Sequence, residues 1–373
     1  MDFSFSDEQE QLRTGVHAFL AKEAPLTFAR AMMDDPAGFT PASWRSLAAL
    51  GWLGLCVPED YGGSGLALLD LCIVMEEMGA VVFPGPYMST VCLGIPALVA
   101  AAGEEQKARL LPAIVDGSSR VTLAIAEERG SWIANDLVAR ATPADGGWTL
   151  EGTKLFVPDA RSSEVILVAC RLDDGFGFVE VSAEDAGVTV EPMSGIDETR
   201  KLDVVELADV RVDRSRVLGG RSVDAQAVDG VVDRAKVALA AEMCGAAAAV
   251  VDMSVEYAKV RTQFGRAIGS FQAIQHKLAD MKVSLENSRS LVYYAAWALD
   301  TGAADARLAA AMAKAYASDA CMQVVAEGIQ VHGGIGFTWE HDMHLYFKRV
   351  KSSELTYGDA TENRELVAHL LPL

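Results

Sequence analysis

The sequence predicts an α+β fold in which a β domain sits between two helical domains. Three observations carry that prediction. Helical spacing fills the first third, the apolar period drops to that of strands from about Val121, and Ala-rich patterns long enough for a helical bundle follow Val217. The expected domains are therefore 1–120, 121–217 and 218–373. No GxGxxG or GxxxxGK(S/T) loop joins a strand to a helix, so Rossmann and P-loop readings have no support.

Each element has a local reason. Ser6 followed by Gln9 is a capping-box signature, Thr40-Pro41 is an N-cap with proline at the first helical position, and Gly51 is a C-terminal stop. The uncharged stretch Met78 to Gly103 is broken by Pro84, Pro86 and Pro96 into pieces too short to span a bilayer, and reads as buried loop and helix ends. "EEQKARLLPAIVDG" adds a short helix. "VTLAIAEE", "EVILVACRL", "FGFVEVS" and "LDVVELADVRV" are strand runs, and Asp145-Gly146-Gly147 inside "DLVARATPADGGWTLEGTKLFV" signals a hairpin. Helical patterns then cover 226–258, 270–300 and 303–331.

Composition narrows the function. A net charge of −20 over 373 residues repels polyanions, which argues against nucleic acid and anionic membrane surfaces as partners. The start "MDFSFSDEQEQLRTG" lacks the basic then apolar pattern of a secretory leader. Six cysteines are scattered without a CxxC pair, which fits reduced thiols in a cytoplasmic protein rather than a disulfide frame or a zinc site. His341 and His344 bracket Asp342 at a spacing two metal ligands could use, but no third ligand is nearby, and no metal is expected.

Five stretches resemble one family in order and spacing over nearly the full chain. They are "LGLCVPEDYGGSGL" (53–66), "GEEQKARLLPAIVDG" (103–117), "TRKLDVVELADVRV" (199–212), "RTQFGRAIGSFQAIQHKLADM" (261–281) and "QVHGGIGF" (330–337). They resemble the acyl-CoA dehydrogenases, and the partly lost flavin motifs described below resemble those of actinobacterial heteromeric members of steroid side-chain breakdown. The resemblance implies an N-terminal helical domain, a middle β-barrel or sandwich and a C-terminal four-helix bundle holding FAD. It also implies assembly as a dimer or tetramer of like or unlike chains, an acyl-CoA substrate, and electron-transfer flavoprotein or a similar acceptor. By the same resemblance Arg261, Phe264, Gly265 and Gln272 reach a neighbouring subunit's FAD, while Gln330, Gly333 and Gly334 lie along the dinucleotide. The chemistry suits those places, since arginine offers a planar fork of donors to pyrophosphate and paired glycines admit close backbone approach. Each has a plainer reading too, as a solvated arginine and a simple turn.

The family's proton-abstracting glutamate is missing from "KSSELTYGDATENRE", where Tyr357 or Gly358 stands, and from the earlier helical position used by a minority, where Ala235 stands. Asp233 is on a different face of that helix. Glu242 lies on the same face as Ala235, nearly two helical turns or about 10 Å further along. Its helical neighbours Ala238, Leu239, Gly245 and Ala246 include no cation. Three uses remain open for such a carboxylate: exposure, an ion pair between helices, or service as the relocated base, which the resemblance favours.

The β-domain motifs depart further. "AEERGSWIAND" (126–136) and Phe156-Val157-Pro158 replace the runs that grip the flavin in the family, and proline has neither hydroxyl nor N–H to give. Leu345 replaces an arginine. Two functions follow: a subunit that desaturates a bulky or unusual acyl-CoA with Glu242 as base, or a non-catalytic partner completing another chain's FAD site. Lys348, Arg349 and Lys351 read as a solvated helix face, with CoA phosphate contact as the alternative, and His332 as a packed loop histidine. Tyr61 and Trp132 are core or ligand-lining residues.

Overall fold

The computed structural model describes residues 5–371. Capping fixes the first helices. Ser6 accepts from the Gln9 N–H and the Gln9 side chain returns to the Ser6 N–H, which starts α1 (Asp7–Glu23) as the sequence implies. After α2 (Leu26–Met33), Thr40 caps α3 (Pro41–Ala49) through a 3.0 Å bond from the Ser43 N–H. Gly51 then turns the chain away at φ 75°. Next come α4 (Leu68–Ala80), a π-helical stretch Met88–Gly94, α5 (Ile95–Ala101) and α6 (Glu104–Val115).

The β domain is one curled seven-stranded sheet. It contains β1 (Val121–Ala124), β2 (Arg140–Ala144), β3 (Gly147–Pro158), β4 (Val165–Leu172), β5 (Gly175–Val181), β6 (Val188–Met193) and β7 (Leu202–Asp213). The order is β1-β4-β2-β3-β7-β6, with β5 antiparallel to β4. The anticipated hairpin joins β2 to β3 with Ala144 opposite Gly147 and Gly146 at φ 79°. Strand β6 escaped the sequence reading: it is an edge strand that carries Glu191 and Pro192 and is largely exposed, so the apolar alternation that betrays a strand is weak.

Helices α7 (Ala225–Val260), α8 (Gln272–Thr301), α9 (Ala306–His332), α10 (Met343–Leu355) and α11 (Ala360–Leu370) complete the chain, with a small hairpin, β8 (Thr262–Gln263) and β9 (Arg266–Ala267), between α7 and α8. The N-terminal helical, middle β and C-terminal helical arrangement expected from the sequence is what the structure shows. Helix α7 is long and apolar enough to cross a membrane, yet 78% of that window is buried inside the protein, as in a core helix.

Contacts divide the chain into two units. One comprises the described residues up to Arg30, Leu68–Phe83 and those from Lys236 onward; the other comprises Ala31–Ala67 and Pro84–Ala235. In the second unit Ile166, Val168, Val179, Val205 and Val210 anchor the sheet core. Gln106, from the "EEQK" motif, stitches the start of α6 to the segment after β7: its amide oxygen accepts from the Gly103 and Gly219 N–H groups at 2.9 and 2.8 Å, and its amide nitrogen donates to the Ser215 and Val217 carbonyls at 2.8 and 3.1 Å. In the first unit α4 crosses α7 backbone to backbone. A Cβ at Gly245 would sit 1.7 Å from the Glu76 carbonyl oxygen, and one at Gly79 would sit 2.0 Å from that of Glu242. Only glycine permits that approach.

Candidate functional site

Glu242 sits in the middle of α7, beside that crossing, and its side chain is 4% exposed. A cation reaches it from α10: Arg349 Nη1 lies 2.8 Å from one carboxylate oxygen, and the Ser353 hydroxyl lies 3.4 Å from the other. The same guanidinium donates to the Phe83 carbonyl at 3.0 Å, and Tyr346 donates to the Ala80 carbonyl at 2.7 Å, so α10 also satisfies carbonyls freed at the end of α4. Of the uses open to Glu242, the ion pair between helices is the one seen, with no cation on its own helix and one on another. One expectation is corrected: Arg349 is not part of a solvated face, being 1% exposed and bonded inward. Lys348, by contrast, stays near the surface over the Trp339 ring at 4.9 Å, and Lys351 pairs with Glu354.

The turn after α10 holds no carboxylate at the positions where the resemblance places one. Tyr357 is 3% exposed and left-handed at φ 59°. Gly358 has φ 90°, and a Cβ there would meet Asn363 Nδ2 at 3.0 Å. Ala235 and Leu345 are buried, and Asp233, also buried, is 3% exposed.

The proposed flavin contacts of the first unit fall in two segments. Arg261 follows α7, and Phe264 and Gly265 form the tip of the β8–β9 hairpin with both residues at positive φ, 52° and 78°. That is the primed turn a two-residue hairpin needs, although phenylalanine pays conformational strain for it. Phe264 is 93% exposed, Gln272 opens α8 on the surface, and the Arg261 guanidinium has no hydrogen bond or ion pair among the described residues. The second segment is Gln330, Gly333 and Gly334 at the end of α9, all exposed, with Gly333 at φ 66° and open space where a Cβ would stand at either glycine. His332 is packed as anticipated: Nδ1 is 2.8 Å from the Gly328 carbonyl, and its ring stacks on Tyr257 at 4.4 Å. Burial, with His341 adding to it, lowers its pKa.

In the other unit the segment 126–136 is committed to folding. Glu127 accepts from the Val138 and Ala139 N–H groups at 2.6 and 2.9 Å and from Lys154 Nζ at 2.6 Å. Lys154 is fully buried, and burial lowers its pKa against the pull of Glu127. Burial likewise pushes the adjacent Cys170 thiol up to about 12, with Lys154 opposing. Phe156 lies at a register shift of β3 against β7, left-handed at φ 54° and 42% exposed, and its N–H points at Met193 Sδ, 3.3 Å away. Pro158 continues the strand opposite Leu202, its carbonyl taken by Thr122 Oγ1 at 2.5 Å.

The remaining candidates have structural partners. Asp342 is held by Arg30 Nε at 2.8 Å, and His344 stacks on Trp339. Among the described residues no group of three or more His, Cys, Asp or Glu could hold a metal ion. Tyr61 donates to Glu104 at 2.5 Å, and Trp132 is half-buried.

Comparison with known proteins decides the family. Residues 6–118 match the description "Acyl-CoA dehydrogenase, N-terminal domain", and residues 226–371 match "Acyl-CoA dehydrogenase, C-terminal domain". The chain belongs to the acyl-CoA dehydrogenase family. Among its relatives is the acyl-CoA dehydrogenase IpdE2 of Mycobacterium tuberculosis, 35% identical over 93% of this chain and 92% of that one. Similar solved structures include a variant of the Tcur3481-Tcur3483 steroid ACAD, 32% identical with a TM-score of 0.87 over 98% of this chain and 97% of that one. The ChsE4-ChsE5 complex from Mycobacterium tuberculosis is 26% identical, with a TM-score of 0.91 over the whole of both chains. This acyl-CoA dehydrogenase chain is thus of an FAD-dependent oxidoreductase kind, and its residues fit that cofactor unevenly. Exposed Arg261, Gln272 and Gln330 and the unobstructed Gly333-Gly334 backbone suit a dinucleotide. On the sheet, Pro158 has no N–H to offer and the Phe156 N–H faces a sulfur.

Proposed function

We propose that this chain is the flavin-completing subunit of a heteromeric acyl-CoA dehydrogenase, joined to a related chain that supplies the proton-abstracting carboxylate. The observation that carries this reading is the engagement of Glu242: its carboxylate is bonded by Arg349 at 2.8 Å in a buried ion pair, so taking a substrate proton would strand a buried guanidinium. The absence of a carboxylate at Tyr357 and Gly358, where the resemblance places the base, supports the same reading. The division between the cofactor contacts does too, since the cross-chain set is exposed and intact while the sheet set is depleted.

In that role Arg261 binds pyrophosphate oxygens of the neighbouring cofactor, the Phe264 tip docks against the partner, and the Gly333-Gly334 backbone lies along the dinucleotide. Bound FAD supplies the acceptor for the hydride that leaves the acyl β-carbon. The substrate is an acyl-CoA with a bulky, steroid-derived acyl group, a reading supported by the steroid ACAD among the similar structures. Electrons leave to electron-transfer flavoprotein or a similar acceptor, and the six free cysteines fit a reducing cytoplasm.

Visible absorption of the protein purified alone and after co-expression with a related chain tests the proposal. Alone it should be colourless or fail to turn over acyl-CoA; co-expressed, it should be yellow and bleach with substrate. Substrate bleaching by the isolated chain would overturn it.

A further inference from the structure

Lys314 is 0% exposed in the interior of α9, and the cofactor contacts make no use of it. Its Nζ has three partners, the Ser318 hydroxyl at 3.0 Å, the Glu354 carbonyl at 2.8 Å and the Gly358 carbonyl at 2.9 Å. Glu354 is in the last turn of α10, where carbonyls have no helical donor, and Gly358 ends the left-handed pair Tyr357-Gly358. Asn363 Nδ2 adds bonds to the Gly358 and Asp359 carbonyls, both at 2.9 Å. A tyrosine held at φ 59° is strained, so the turn persists because these donors over-determine it.

We propose that Lys314 and Ser318 form a two-state clamp that holds the α10–α11 turn, and with it the buried Tyr357, whether or not the amine carries its third proton. The donor arithmetic requires both residues. An ammonium gives one proton to each of the three oxygens. A neutral amine has two N–H donors and a lone pair; the two carbonyls can only accept, whereas the Ser318 hydroxyl can reverse and donate to the lone pair. The clamp therefore survives deprotonation because the neutral amine keeps one N–H for each carbonyl of the turn, while the hydroxyl takes the third proton in the charged state and serves the lone pair in the neutral one.

The surroundings make that change accessible near neutrality. Burial lowers the Lys314 pKa to about 7, helped by Lys236 on α7 and opposed by Glu354 on α10, Asp359 ahead of α11 and Glu362 on α11. Lys314 is thus a positioning residue for the turn where the resemblance places the family's base. The clamp deepens the proposed function by explaining how a turn without the glutamate that the resemblance places there keeps its shape, but its test does not depend on turnover.

Amide hydrogen exchange over residues 355–360 of the full chain, measured from pH 6 to pH 9 and corrected for the intrinsic pH dependence of exchange, is the test. Wild type should hold the turn throughout, with protection rising above pH 7, where the opened chain binds a proton that the buried amine has lost. Ser318→Ala leaves one N–H of the buried ammonium without an acceptor, so it should lose protection roughly tenfold near pH 6 and approach wild type above pH 7, where the two N–H groups of the neutral amine serve the two carbonyls. Lys314→Met should lose protection at every pH. Wild-type protection near pH 6 in Ser318→Ala would overturn the clamp even if Lys314→Met does not fold, and wild-type protection in Lys314→Met would overturn it directly. A colourless isolated chain leaves this result untouched, so failure of the clamp and failure of the proposed subunit role are separable.

Discussion

Tyr257 and His332 stack at a ring separation of 4.4 Å and an interplanar angle of 26°, which fastens the end of α7 to the end of α9. Arg261 begins four residues after the first ring, and Gly333 follows the second. Both proposed cofactor segments therefore leave from one braced corner of their unit, and a neutral imidazole is part of the brace.

That brace should be acid-sensitive. The His332 pKa lies below its ordinary value of 6.5, so in the window between the two values the unfolded chain binds more protons than the folded one. Stability should rise with pH through that window and fall as the pH drops below 6.5. Thermal melts from pH 5 to pH 7.5 should show a smaller acid loss in His332→Phe than in wild type; an equal loss would show that His332 is not the group responsible.

Glu242→Gln should act on stability rather than chemistry. It leaves the Arg349 guanidinium buried without its counter-charge, a loss of about 3–5 kcal/mol in denaturant unfolding. Glu242→Leu with Arg349→Met should recover most of that. Turnover of the co-expressed complex, per folded protein, should be little changed by Glu242→Gln; abolished turnover with stability intact would restore Glu242 as the base.

Arg261→Ala should leave the isolated chain's melting temperature unchanged, because the guanidinium has no partner within the described residues. In the co-expressed complex it should weaken flavin retention roughly 10- to 100-fold, the loss of charge-assisted bonds to an anion. Equilibrium dialysis against FAD would measure it.

Gly245→Ala should be more damaging than its single methyl group suggests. The added carbon would lie 1.7 Å from the Glu76 carbonyl oxygen, and α4 must move to admit it. We expect about 1–3 kcal/mol lost. The same change at Gly230, where a Cβ meets nothing within 4 Å, should be neutral or mildly stabilising.

Much of this was legible in the sequence, and the rest was hidden for definable reasons. Caps at Ser6 and Thr40, the Gly146 hairpin and the three long helices follow from local chemistry that needs no third dimension. The cation for Glu242 stands 107 positions along the chain, beyond any helical-neighbour argument. A signal for Arg349 did exist: it falls on the stripe Leu345, Tyr346, Arg349, Val350 and Ser353, all buried, while flanking Lys348 and Lys351 disguised it as surface. The Glu127–Lys154 pair joins segments 27 positions apart, so a segment that departs from the family's cofactor grip proved to be a fold support.

The crossing of α4 over α7 has a consequence for how this chain can vary. Where two rods touch through their peptide groups, no rotamer can swing aside to absorb an added atom, so the pair moves as one beam. Tolerance to substitution should then be lowest at its smallest residues, and a change at Gly79 or Gly245 would be transmitted along the whole length of the beam rather than absorbed where it occurs.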